Sequence, residues 1–96
     1  MMANVLTILK LVPSEADLDQ ENFVNNSIIP KCKEYGVELL KFDKEPLAFG
    51  MFALLVYLKN IDSEEGADKL NTLQEEFESM DSLQSIELQQ QTLIDY

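Results

Sequence analysis

The chain has no histidine, no arginine and no tryptophan, and its 96 residues include one cysteine, three glycines and three prolines. The missing histidine removes the usual general base, the commonest metal ligand and every Ser–His or Cys–His nucleophile pair. With a single Cys as well, no zinc site of the ordinary kind can be assembled. Cys32 cannot form a disulfide within the chain, which fits a reducing compartment. Met1-Met2-Ala3-Asn4 carries no basic leader region, so a cytoplasmic location is expected. No apolar run approaches the ~18 residues needed to span a bilayer, so no membrane association is expected. Neither GxxxxGK[ST] nor GxGxxG is present, which leaves no phosphate cradle of known type. Asp17-x-Asp19-x-Glu21 opens like a calcium loop, but Asn22 stands where the loop needs Gly and Ile28 where it needs a bidentate Glu. No cofactor, metal or small-molecule substrate is therefore expected. Covalent catalysis is not expected either, because the carboxylates lie in acid-rich runs and nothing pairs them across a cleft.

Positive charge is also scarce. Eighteen acids face seven bases, all of them Lys, for a formal net charge of −11. The imbalance is uneven: residues 1–60 carry 8 acids and 6 Lys, net −2, while residues 61–96 carry 10 acids and Lys69 alone, net −9. Direct nucleic-acid binding needs a basic footprint, and there is none. A surface of this sign is steered toward a basic partner, although solubility alone also explains it.

Leu, Ile, Val and Phe are plentiful, enough for one core in one domain, residues 1–96. The most apolar run is Met51 to Leu58, polar only at the Tyr57 hydroxyl. Pro46 and Gly50 stand before it as turn residues and Lys59-Asn60 close it. It therefore reads as a central strand beginning near Phe49, buried on both faces. Asn4–Val12 is a second candidate central strand, with Val5, Thr7, Leu9 and Leu11 on one face and Leu6, Ile8 and Val12 on the other. Asp17 or Asp19 can cap a following helix whose stripe is Val24, Ile28, Cys32 and Tyr35, kinked or restarted at Pro30 and stopped at Gly36. Cys32 on that stripe reads as a small core hydrophobe.

Val37–Phe42 is a strand of weak alternation, broken by Asp43-Lys44-Glu45-Pro46. Asp62 and Glu65 fit a capping box for a second helix with Leu70, Leu73, Phe77 and Met80 inward and Glu75, Glu76 and Glu78 on a solvated face. Leu83–Ile94 is a last strand with Ile86, Leu88 and Ile94 in one register. The order β-α-β-β-α-β predicts an α+β, ferredoxin-like two-layer sandwich, a four-stranded antiparallel sheet with both helices on one face and the other face partly open. That fold hosts unrelated functions.

Three stretches together resemble the guanine nucleotide exchange domain of translation elongation factor 1-beta in its short archaeal form: Pro46-x-Ala48-Phe49-Gly50-Met51-x-Ala53-Leu54, Asp62-x-Glu64-Glu65-Gly66-x-Asp68-x-Leu70 and Leu83-Gln84-Ser85-Ile86-Glu87-Leu88. The resemblance covers essentially the whole chain in order. It implies a non-enzymatic exchange factor that binds the elongation factor 1-alpha GTPase and speeds GDP release. It implies partner-binding residues at Ala48, Phe49, Gly50 and Met51, with the Phe49 ring pressed into the GTPase; from its local pattern alone Phe49 reads as a core residue. The family also implies a basic residue at or near Thr92-Leu93, and this chain has none there. The rival reading is a small-molecule-sensing or protein-interaction domain of the same fold without exchange activity.

Overall fold

The computed structural model describes residues 4–15 and 19–94. Four strands form one antiparallel sheet in the order β2-β3-β1-β4, with β1 at Asn4–Pro13, β2 at Glu38–Pro46, β3 at Phe52–Ile61 and β4 at Leu83–Ile94. The two most apolar strands, β1 and β3, lie in the middle, and the charged β2 and glutamine-rich β4 form the edges. One helical layer covers one face. It consists of α1 (Gln20–Phe23), a π-helical turn (Val24–Ile28) and α2 (Ile29–Glu34), then α3 (Glu64–Glu78). The ferredoxin-like arrangement expected from the sequence is the one adopted.

The core lies between the layers. Leu9 and Leu11 from β1 and Leu54, Val56 and Leu58 from β3 meet Val24, Ile28 and Cys32 from the first helical segment and Leu70, Leu73 and Phe77 from α3. Burial pushes the Cys32 thiol up to about 12, as expected of a core hydrophobe rather than a nucleophile. Asp19 caps α1 by accepting from the Asn22 N–H; Asp17 lies outside the described residues. Pro30 is tolerated because the preceding turn widens: the Ile29 N–H donates to the Val24 carbonyl, five residues back. A Pro ring would otherwise meet the carbonyl four residues before it. The α2 helix then restarts with Pro30 in its first turn, so the kink and the restart are one event.

Five expectations need correction. First, β3 is central but not buried throughout on both faces; on the face away from the helices Ala53 is buried while Leu55 and Tyr57 are half-buried, because both helices pack on the same side. Second, β2 does not break at Asp43 but continues through Pro46, paired with Phe52. Edge strands carry charge and proline without losing their inner ladder. Third, the cap of α3 is Ser63, not Asp62: the Ser63 hydroxyl accepts from the Gly66 N–H at 3.0 Å. The helix ends at Glu78, so Met80 reaches the core from beyond it. Fourth, Glu76 is not simply solvated, since it accepts from the Tyr35 hydroxyl at 3.0 Å and lies 3.5 Å from Lys31 Nζ. Fifth, Ile94 does not share a face with Ile86 and Leu88. A bulge at Gln89 inserts one residue between the pairs Leu9–Leu88 and Ile8–Gln90, which moves Leu93 to the helix side and Ile94 to the open side.

On the open face, Lys10 of β1 reaches over β3 to Glu45 of β2 at 3.4 Å. The bridge crosses at the level of Ala53, the partner of Glu45, which is fully buried although it belongs to this face. Lys41 sits 4.5 Å above the Tyr57 ring on the same side. The face is thus an apolar strip screened by lysine stems.

Candidate functional site

Antiparallel pairing brings the β2–β3 hairpin to a five-residue tip, Leu47 to Met51, beyond the last pair Pro46–Phe52. The Leu47 N–H donates to the Met51 carbonyl at 2.7 Å and closes the loop. Inside it, Ala48–Gly50 form one 3₁₀ turn, with a long 3.4 Å bond from the Met51 N–H to the Ala48 carbonyl. Reversing direction in so few residues takes two consecutive left-handed conformations, Phe49 at φ 63°, ψ 31° and Gly50 at φ 73°. Glycine takes that region at no steric cost. For a residue with a Cβ the left-handed well costs about 1–2 kcal/mol, and Phe49 is the one non-glycine residue among those described that occupies it.

The Phe49 side chain is 99% exposed. The core reading of Phe49 is therefore overturned: a residue at the outer point of a tight hairpin has nothing to pack on. Ala48 and Gly50 are also exposed and Met51 is half-buried. The four residues singled out in the sequence are thus contiguous on one protruding tip, in line with an exposed Phe52 whose ring lies 5.9 Å from Lys44 Nζ. At the base of the tip the Gln20 side chain, 4% exposed, donates from Nε2 to the Phe52 carbonyl at 3.2 Å. Sequence reasoning missed Gln20. The readable signal was Pro13, a strand residue without an N–H to offer its neighbour.

The opposite end of the sheet is built differently. Asn60, the penultimate residue of β3, donates from Nδ2 to the Gly66 carbonyl at 2.9 Å. A Cβ on Gly66 would collide with the Ile61 carbonyl, so only glycine lets α3 start this close to the strand end. Thr92 and Leu93 lie here, exposed along a groove of about 310 Å³ with Val5, Ile61 and Leu70. β3 has ten residues, so this end stands about 30 Å from the Phe49 tip at the usual rise of a strand. Among the described residues, no basic side chain lines the groove. Among the described residues, no helix is long and apolar enough to cross a membrane.

The family profile of the EF-1 guanine nucleotide exchange domain matches residues 6–94. The chain belongs to this family. Elongation factor 1-beta of Metallosphaera sedula is 33% identical over 87 residues, covering 91% of each chain. Elongation factor 1-beta of Pyrococcus abyssi is 33% identical over 88 residues, covering 90% of each. Among solved structures, this exchange-family chain is similar in fold to the ACT domain of GTP pyrophosphokinase from Chlorobium tepidum (TM-score 0.59, 15% identity, 90% of this chain and 99% of that one). It is also similar to the C-terminal domain of MgtC from Mycobacterium tuberculosis (TM-score 0.64, 13% identity, 95% and 87%). At such identities these two likenesses bear on the fold alone.

Proposed function

We propose that this exchange-family domain promotes GDP release from the translation elongation factor 1-alpha GTPase, acting by binding rather than by covalent catalysis. The observation that carries the reading is Phe49: an aromatic ring fully in solvent, held in a conformation that costs folding energy. Stability is not what such a residue provides, and backbone strain of this kind collects where a chain meets its ligands. An exposed aromatic at the point of a tight hairpin is suited to enter a pocket of a partner, with Ala48, Gly50 and Met51 forming its rim.

The thermodynamics require no acid or base. A factor that binds the nucleotide-free GTPase more tightly than the GDP-bound form weakens GDP binding by the same factor, typically about 5–150-fold. The net charge of −11 favours encounter with a basic surface. Thr92 and Leu93 carry no charge, so on this reading the tip and preferential binding of the empty GTPase supply the exchange. Release of a fluorescent GDP analogue from the cognate GTPase tests the proposal. Wild type is expected to accelerate release, and Phe49→Ala to lose most of that effect with its fold intact. Equal acceleration by both proteins would remove Phe49 from the mechanism, and no acceleration by wild type would defeat the exchange reading.

A further inference from the structure

The Phe49 tip rests on a carbonyl that the sheet itself cannot satisfy. In an antiparallel ladder, successive residues direct their backbone groups to alternate sides. The Leu47–Met51 bond faces β2, so the next carbonyl on that arm, Phe52, turns away from β2 toward β1. The β1–β3 register ends at Leu11–Leu54, and its continuation sets Pro13 opposite Phe52. Proline has no N–H, so the ladder has no donor there. The Gln20 amide takes that place, donating to the Phe52 carbonyl across 32 residues of sequence. Gln20 is buried and its other arm, Oε1, has no partner among the described residues. A buried amide with one arm unsatisfied is an expensive core residue, which argues that its position is kept for the bond it makes.

We infer that Gln20 is a positioning residue for the Phe49 tip, replacing the strand N–H that Pro13 lacks and tying the first turn of α1 to the base of the hairpin. Without it, the Phe52 carbonyl is left unpaired at the point where β3 enters the loop, and the hairpin can open there toward water. The tip then samples more conformations than the one that projects Phe49. The consequence for exchange rests on the function proposed above; the consequence for the loop does not.

The test is a cycle of wild type, Gln20→Met, Pro13→Val and the double variant. Gln20→Met removes one buried unpaired oxygen while creating another at Phe52, so its melting temperature is expected to stay near wild type. Amide hydrogen exchange is read at Leu47 and Met51 in the free protein. Gln20→Met is expected to speed exchange there by about three- to tenfold, the size of one lost hydrogen bond. Pro13→Val, which restores a strand donor, is expected to return the double variant to within about twofold of wild type, the residue of imperfect additivity between neighbours. In GDP release, Gln20→Met is expected to need severalfold more factor for half-maximal effect with little change in the limiting rate, again rescued by Pro13→Val. Unchanged Leu47 and Met51 exchange in Gln20→Met, or no rescue in the double variant, would overturn the inference. Loop protection that responds as expected while wild type fails to accelerate release would defeat the exchange reading alone.

Discussion

The two ends of the sheet solve opposite problems. At the Asn60–Gly66 end every device holds elements together: a serine cap, an asparagine tying strand to helix, and a glycine admitted because nothing larger fits. At the Leu47–Met51 end the chain accepts a left-handed phenylalanine and leaves its ring in water. The first end contributes to stability, and the second gives some of it up to present a side chain. Strain that no packing explains therefore separates a candidate binding tip from ordinary turns more sharply than exposure alone, since exposed hydrophobics such as Leu88 and Leu93 also occur.

Substitutions can break this contrast. The largest expected effect is on activity at the tip. Phe49→Ala should lower GDP-release acceleration by about ten- to hundredfold, as loss of an interface anchor does, with an unchanged denaturation midpoint. Next comes Gly66→Ala at the packed end, where the added methyl should cost about 1–3 kcal/mol in urea unfolding while exchange per folded molecule persists. Phe49→Gly sharpens the comparison further: relief of the left-handed strain should stabilise the protein by up to about 1 kcal/mol, since extra freedom in the unfolded chain offsets part of the gain. The same variant should lose exchange. Ser63→Ala should cost about 1 kcal/mol through the lost cap, measured by the same unfolding curves.

The smallest effect is a pH dependence set in the helical layer, where α2 meets α3. The hydrogen bond to Glu76, with burial and nearby negative charge, raises the Tyr35 hydroxyl above its ordinary value of 10.0. A folded pKa above the unfolded one means that the contribution is complete below the unfolded value and fades as pH rises toward the folded one. Stability should therefore decline slightly as the solution passes pH 10, and Tyr35→Phe should flatten that decline. An alkaline slope unchanged in Tyr35→Phe would show that the bond to Glu76 does not set it.

Periodicity carried much of the fold into view. The Val24–Ile28–Cys32 stripe, the Leu70–Leu73–Phe77 stripe and the alternation of β1 each record which face meets the core, because burial repeats with the geometry of the element. The tip was legible as a turn from Pro46 and Gly50, and as a candidate partner site only through the family pattern around Phe49. Alternation alone puts Ile94 on the wrong face because a bulge has no composition of its own: Gln89 is extra only relative to β1. The sequence does not separate Asp62 from Ser63 as the cap, because both are good cap residues and the direction from which the strand arrives decides between them.

The sequence by itself determined the element order, the two-layer arrangement, the buried fate of Cys32 and the exclusion of histidine-based chemistry. These follow from residue inventory and local period, which need no knowledge of neighbours. Only the tertiary structure decided that Phe49 faces solvent, that β4 changes face at Gln89 and that Gln20 replaces a donor missing from Pro13. Each of those depends on which strand or helix lies alongside, and a hydrogen-bond partner 32 residues away leaves no periodic trace in the chain.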